Sequence, residues 1–267
     1  MSAARLWKLA GTSKDIRFFA AGRSSVLLLR GLALGLATIV GTIAASCWLG
    51  GSWQNYGFRL PYISETARDM PQAGIFSAGM TATSMLMMAC AALQHGTVQQ
   101  YLAAAGTGAG QCLHAVSHVT GLAAPPFLGL LACYDSRRAP RLHDTCVIIF
   151  FTGTIVYMLT TLYLYTYVAS DAYRKAVVDQ KSAAQLPAVR YSLLMKRAIA
   201  RAFVVFTTLY LPVGAALCQA AVLPDPARRQ LHSLRALCQH LSVLCIVLYY
   251  GTFYYDFRGL TLFVVHA

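Results

Sequence analysis

Residues 145–169 read TCVIIFFTGTIVYMLTTLYLYTYVA, an apolar stretch without a single Asp, Glu, Lys or Arg. About 20 apolar residues in a helix are enough to cross the roughly 30 Å hydrocarbon core of a bilayer. The stretch lacks the alternation of polar and apolar residues that is typical of membrane β-barrels. In a helix, every backbone N–H and C=O group finds its partner within the segment itself. The stretch therefore predicts a transmembrane helix.

Five further runs of similar character flank this one, three before it and two after it. The whole chain is 57% hydrophobic and only 12% charged, whereas soluble domains carry roughly 25% charged residues. We therefore predict an all-α, polytopic membrane protein, a bundle of six transmembrane helices joined by polar loops. The predicted spans are 28–49, 73–92, 112–133, 145–169, 199–223 and 236–255.

The basic residues indicate how the chain is oriented. The formal net charge is +13, but Lys and Arg occur in the short connections instead of forming a nucleic-acid-binding face. One side of the membrane holds 1–27, the 170–198 connection (which includes Lys196) and the tail. Lys and Arg are more numerous on this side than on the opposite side, and this excess favours cytoplasmic termini. We predict a basic cytoplasmic segment over 1–27, a membrane domain over 28–257 and a cytoplasmic tail over 258–267. No nucleic-acid partner is expected.

The connection between the first two spans concentrates polar chemistry. It contains two prolines and Glu65, the only glutamate of the chain. Because loops carry function more often than core positions do, we expect a structured loop that packs over the bundle; the alternative is a plain solvated connector. The residues of interest are Pro61, Tyr62, Ile63, Ser64, Glu65 and Pro71.

Histidines in the third span raise the question of a cofactor. His114 and His118 are four residues apart and therefore share one helix face, a spacing that suits a metal or haem. Two ligands do not complete a site, and no pattern links His95 or His240 to them. We expect buried, hydrogen-bonded core histidines and no cofactor.

Glycine and proline patterns predict local features of the helices. Pro125 and Pro126 should kink the third span, and Gly31 and Gly35 should allow a second helix to approach the first closely. The glycines between 106 and 110 follow no strand and precede no lysine, so they are expected to form a flexible loop and no phosphate site.

Polar residues at the ends of the last spans are the remaining candidates. His143 and Asp144 open the fourth span and Asp256 closes the sixth, and acids near a membrane are costly to bury. Asp144 has an equally good structural explanation, since a carboxylate stabilises a helix N-terminus. With six spans, Asp144 and Glu65 share one side and Asp256 lies about 30 Å away. The two aspartates therefore cannot form a catalytic dyad, and we expect no enzyme.

Three segments together resemble the damage-regulated autophagy modulator (DRAM) proteins. The first-loop residues given above, followed by Gly74 and Phe76, look like the first-loop signature of that family. The start of the fourth span at His143 and Asp144 is similar to the family's fourth span. The last span resembles the family's sixth span because it closes on an acid and an aromatic residue, here Asp256 and Phe257.

The resemblance implies a non-enzymatic multi-pass regulator that acts in autophagy or membrane-lipid organisation. The wider superfamily includes plasma-membrane regulators of phosphoinositide kinases and a GPI-anchor lipid-remodelling factor. The alternative function is therefore that of a component of GPI-anchor lipid remodelling. A channel or transporter has the least support. The implied partners are membrane lipids and, as a second class, another membrane protein. The implied location is an endomembrane (lysosome or Golgi) or the plasma membrane.

One departure stands out: Gln239 occupies a position where family members carry a glutamate, so a proton or ion relay through that acid should be absent here.

Overall fold

Helices make up almost all of the described structure. The computed structural model describes residues 22–49, 60–105, 108–134, 136–178, 186–219, 224–257 and 261–262. One antiparallel pair of two-residue strands joins Gly22–Arg23 (β1) to Thr261–Leu262 (β2). The helices are α1 Ser24–Leu49, α2 Ile63–Thr66, α3 Gln72–Ala105, α4 Gly108–Ala123, α5 Pro125–Cys133, α6 Pro140–Val178, α7 Leu186–Gln219 and α8 Asp225–Asp256.

Five helical segments in the described part of the chain are long and apolar enough to cross a membrane. The chain is therefore an integral, multi-pass, all-helical membrane protein, as predicted. The remaining long helix, α7, packs against both α6 and α8. The five segments are Leu28–Ser46, Gln72–Gly96, Gly110–Cys133, Pro140–Thr166 and Asp225–Asp256.

The connections between spans are shorter than the sequence suggested. The 93–111 segment was expected to be a loop, but α3 continues to Ala105 and α4 already begins at Gly108. The glycines from 108 to 110 are thus helical, which corrects the prediction of a flexible loop there. Hydropathy marks only the part of a helix that lies in lipid, whereas backbone hydrogen bonds continue into the polar region. The same extension shortens the connections predicted over 134–144, 170–198 and 224–235.

The break in the third span lies where the sequence predicted a kink. Helix α4 ends at Ala123, and α5 begins with Pro125 and Pro126 in its first turn. Proline has no N–H to donate to the preceding turn, and its ring clashes with the backbone there. Together, α4 and α5 form one span with a local interruption.

Small residues bring α1 and α3 into close contact, as predicted for Gly31 and Gly35. A Cβ added at Gly31 would lie 3.1 Å from Leu86, and one at Gly35 would lie 3.0 Å from Thr83. On the facing helix, a Cβ at Gly79 would overlap the Thr38 side chain. A side chain at Gly79 would therefore overlap α1, whereas one at Gly31 or Gly35 would force the facing side chain to shift by a few tenths of an ångström.

Aromatic side chains fill the centre of the bundle. Tyr249 and Phe253 of α8 are fully buried, and the Tyr249 hydroxyl donates to the Met158 carbonyl of α6 at 2.9 Å. Tyr157 stacks on Tyr250 at a centroid distance of 5.7 Å. This core holds α6 and α8 at a fixed depth relative to each other, and so fixes where their polar ends lie.

Candidate functional site

The first connection folds into a compact structure of its own. Tyr62 precedes the short helix α2, and the Glu65 side chain accepts a hydrogen bond from the Tyr62 backbone N–H at 2.9 Å. Such a bond satisfies a donor that a helix N-terminus leaves unpaired. Glu65 is buried, as are Pro61 and Ile63, whereas Pro71 is exposed. The carboxylate therefore organises the loop from within.

This loop docks on the first half of α8. The Ile63 N–H donates to the Gln239 side-chain oxygen at 3.1 Å, and the Leu60 N–H donates to the Ser233 hydroxyl at 3.1 Å. The Tyr62 ring lies against the His232 ring with a centroid distance of 4.5 Å. Two backbone donors and one aromatic contact thus hold the loop over the end of the bundle, the placement that the sequence predicted.

Gln239 uses its carbonyl oxygen in this contact. A glutamate at the same position offers the same kind of acceptor, so the structural contact does not need the acid that the family resemblance implies. The departure at Gln239 removes a titratable group but retains the anchor for the loop.

The connection between α5 and α6 completes this end of the bundle. Arg137 pairs with Asp69 at 3.0 Å, and the Arg68 guanidinium donates to the Ser136 hydroxyl at 3.3 Å. The first connection therefore contacts both the 134–144 connection and the 224–235 connection. We call this end of the bundle, formed by 60–71, 134–144 and 224–235, the loop-covered end.

His143 and Asp144 have different environments at the start of α6. His143 is buried, and its Nδ1 lies 2.8 Å from the Tyr134 carbonyl oxygen and 3.1 Å from that of Leu131. A protonated Nδ1 would donate to this turn of the chain. The neighbouring Asp144 is exposed. His143 thus fixes the entry into α6, and Ser64 of the loop lines a small cavity beside it.

Arg235 lies beside the docked loop and contacts two aromatic rings. Its guanidinium lies 4.4 Å from the Tyr210 ring centroid and 5.9 Å from that of Tyr62. It packs directly on Gly214, where an added Cβ would come within 2.7 Å of it. Burial raises the pKa of the Tyr62 phenol, against the opposing effect of the Arg235 charge. No carboxylate among the described side chains forms an ion pair with Arg235.

A groove opens below Arg235 between α6, α7 and α8. Its volume is about 270 Å³. Gln239 and Ser242 line it from the helix face that also carries Arg235, because residues three and four apart lie on one face. The outer groove, as we name it, is lined by Ile148, Phe151, Thr152, Thr207, Tyr210 and Gln239.

The opposite end of the bundle contains a buried ion pair that the sequence did not reveal. Lys196 Nζ lies 2.5 Å from Asp256 Oδ2, with side-chain exposures of 0% and 4%. Lys196 also donates to the Ser192 hydroxyl at 2.6 Å and lies over the Tyr165 and Phe253 rings. Lys196 had been assigned to a polar connection; α7 instead extends through it and carries it into the core. Phe257 is also buried and stacks on Phe253.

Asp144 and Asp256 lie at opposite ends of the bundle, as the six-span prediction required. Lys196, the partner of Asp256, contacts Tyr165. Tyr165 follows Asp144 by 21 residues in the same helix, which corresponds to about 30 Å. The two carboxylates therefore cannot act on one substrate atom.

Three histidines meet between α3 and α4. The His95 ring stacks on His114 at 4.1 Å and on His118 at 3.7 Å. Within the described part of the chain, four of their ring nitrogens are buried without a hydrogen-bond partner. This corrects the expectation of hydrogen-bonded core histidines, and it brings in His95, which no local pattern linked to the other two. Parallel rings do not direct their lone pairs at one point, and no metal-holding group of three was found among the described residues.

The Frag1/DRAM/Sfk1/Cwh43P N-terminal domain family matches residues 23–260. The chain belongs to this family. The match covers every helix described above and confirms the family that the sequence resembles. No curated protein and no solved structure matches the chain significantly.

Proposed function

We propose that this family member is a non-enzymatic regulator of membrane-lipid organisation in an endomembrane, with autophagy as the process that responds to it. The observation that carries the proposal is the outer groove beneath the docked first loop. Its walls are largely apolar, its upper rim carries Tyr210 and Gln239, and Arg235 lies one helical turn above Gln239. An apolar cleft with a cation one helical turn above its rim suits an amphipathic lipid.

The polar family residues support a regulatory rather than a catalytic role. Glu65 holds the Tyr62 backbone, His143 contacts a backbone turn, and Asp256 pairs with Lys196. A catalytic group needs access to a reacting atom, whereas these groups are engaged in internal contacts. We propose that they hold the shape of the bundle.

The topology belongs to the same proposal. Helix α7 carries Lys196 at the buried ion-pair end and Tyr210 at the loop-covered end, so it extends along the same depth as α6 and α8. We propose that α7 is the sixth span. Together with the distribution of Lys and Arg, this supports the proposal that both termini are cytoplasmic and that the loop-covered end lies on the opposite side.

A blocked groove tests the function in cells. Thr152 is exposed and lines the outer groove, so Thr152→Trp fills the groove without entering the core. Cells that lack the protein would be complemented with the wild type or with this variant. We expect the variant to reach the membrane but to leave lipid distribution between leaflets and autophagic flux uncorrected.

Val40→Trp is the matched control, because Val40 is 57% exposed on α1, away from the groove. It should complement like the wild type. Full complementation by Thr152→Trp would contradict the proposal. A selective defect in surface GPI-anchored proteins, with normal leaflet distribution, would instead support GPI-anchor lipid remodelling.

A further inference from the structure

A second groove lies between α6 and α7 at the ion-pair end of the bundle. Its volume is about 700 Å³. We call it the inner groove, and it begins about one helical turn beyond the outer groove, since Leu159 of its wall follows Ile155 of the other. It is lined by Leu159, Leu162, Thr166, Arg197, Arg201 and Val205.

The lining of the inner groove changes character along its length. Helices α6 and α7 are antiparallel, with Thr166 beside Arg197 at one end and Leu159 near Val205 deeper in the bundle. The polar end therefore carries Arg197, Arg201 follows one helical turn deeper, and the deep end is hydrocarbon. This gradient matches an amphipathic molecule that enters with its tail toward the membrane centre.

The two arginines share one face of α7 because they are four residues apart. Arg197 donates to the Thr166 hydroxyl at 3.3 Å, which holds its guanidinium at the groove wall. In the described part of the chain neither arginine forms an ion pair with a carboxylate. The neighbouring Lys196 points into the core and forms an ion pair with Asp256.

We infer that the inner groove binds an anionic glycerophospholipid from the membrane leaflet at the ion-pair end. The lipid phosphate would meet Arg197 and Arg201, which present planar donors suited to phosphate oxygens, and an acyl chain would follow Leu159 and Val205. A choline headgroup is disfavoured because its ammonium group would lie near two fixed positive charges. The inference goes beyond the proposed function, which concerns the outer groove at the other end.

Photo-crosslinking of the purified full-length protein tests this site. The probes are phosphatidylserine and phosphatidylcholine with the same photoreactive acyl chain, and crosslinked residues are mapped by mass spectrometry. We expect phosphatidylserine to label the inner groove preferentially. Arg197→Gln and Arg201→Gln should each reduce its apparent affinity roughly tenfold, as expected for the loss of a charge-assisted hydrogen bond.

Two controls separate a site from general surface charge and from misfolding. Arg190→Gln removes one charge from an exposed position of the same helix. Phosphatidylserine labelling of this variant should stay within about twofold of the wild-type level, since an exposed charge acts only through the screened surface field. Val205→Trp should block the groove with all charges kept, whereas Val119→Trp, at a similarly exposed position on α4, should not.

Equal labelling by both lipids, or equal effects of Arg190→Gln and Arg201→Gln, would overturn the inference. Soluble glycerophosphoserine provides the last arm. Competition by this headgroup as strong as that by the intact lipid would show an anion site without a lipid chain, and would overturn it as well. Because none of these variants touches the outer groove, failure here is distinct from failure of the proposed function.

Discussion

Asp256→Asn should destabilise the protein strongly because it leaves the Lys196 ammonium buried without a counter-charge. The Lys196 and Asp256 side chains are 0% and 4% exposed, and their charged atoms are 2.5 Å apart. Removing one partner of such a buried pair costs about 3–5 kcal/mol in free energy of unfolding. For a domain of this size, that corresponds to a fall in Tm on the order of 10 °C.

The assay is thermal unfolding of the purified protein in one detergent and at one pH, followed by intrinsic fluorescence. Asp69→Asn is the matched control: Asp69 pairs with Arg137 at 3.0 Å, but their side chains are 81% and 54% exposed. A solvated pair contributes at most about 1 kcal/mol, so this variant should change Tm by no more than about 4 °C.

A double variant separates charge pairing from simple packing. Lys196→Met combined with Asp256→Leu removes both charges and retains apolar volume, and replacing a buried pair in this way is often nearly neutral. We expect it to recover most of the lost Tm. The reasoning is refuted if the Tm of Asp256→Asn lies within about 2 °C of the wild-type Tm. It is also refuted if the fall in Tm of the double variant equals the sum of the falls caused by Lys196→Met and Asp256→Leu alone.

Three further predictions concern other contacts of the bundle. Gln239→Leu should release the first loop and raise hydrogen exchange of its anchored amide about tenfold, whereas Gln239→Glu should preserve protection; equal exchange in both variants would argue against the anchor. Gly79→Val should lower Tm because it forces α1 and α3 apart, at a cost of about 1–3 kcal/mol or more, whereas Gly41→Val, which meets nothing within 4 Å, should not. Purified protein should show neither haem absorbance nor stoichiometric zinc, because the three histidine rings are stacked in parallel; metal that is lost on His114→Ala would contradict this.

Features that depend on local chemistry were predicted from the sequence. Apolar runs predicted the positions of the helices. Pro125 and Pro126 predicted the break in the third span, and Gly31 and Gly35 predicted the close approach of α1 and α3. Each follows from properties of one segment: its length, its missing N–H groups or its missing side chains. The helix ends were less well predicted, because hydropathy does not register a helix that continues into the polar region.

The contacts that define the candidate sites depend on how distant segments pack. Ile63 and Gln239 are 176 residues apart, and Lys196 and Asp256 are 60 apart. Nothing in the sequence near Lys196 distinguishes a buried lysine from the topology-setting cations beside it; the only hint was an acid at the end of the last span. His95 likewise joins His114 and His118 only because α3 and α4 are adjacent.

Crosslinking of a photoactivatable phospholipid at the loop-covered end tests the central claim most directly. The purified protein would be reconstituted in vesicles with a phospholipid whose photoreactive group lies in the upper acyl chain, and the labelled residues would be mapped. At the loop-covered end we expect labelling to concentrate on Thr207 and Phe151 of the outer groove, and the labelling of these two residues should fall at least fivefold in Thr152→Trp but not in Val40→Trp. Labelling spread evenly over the lipid-facing helices, unchanged in Thr152→Trp, would contradict a lipid-binding role for the groove.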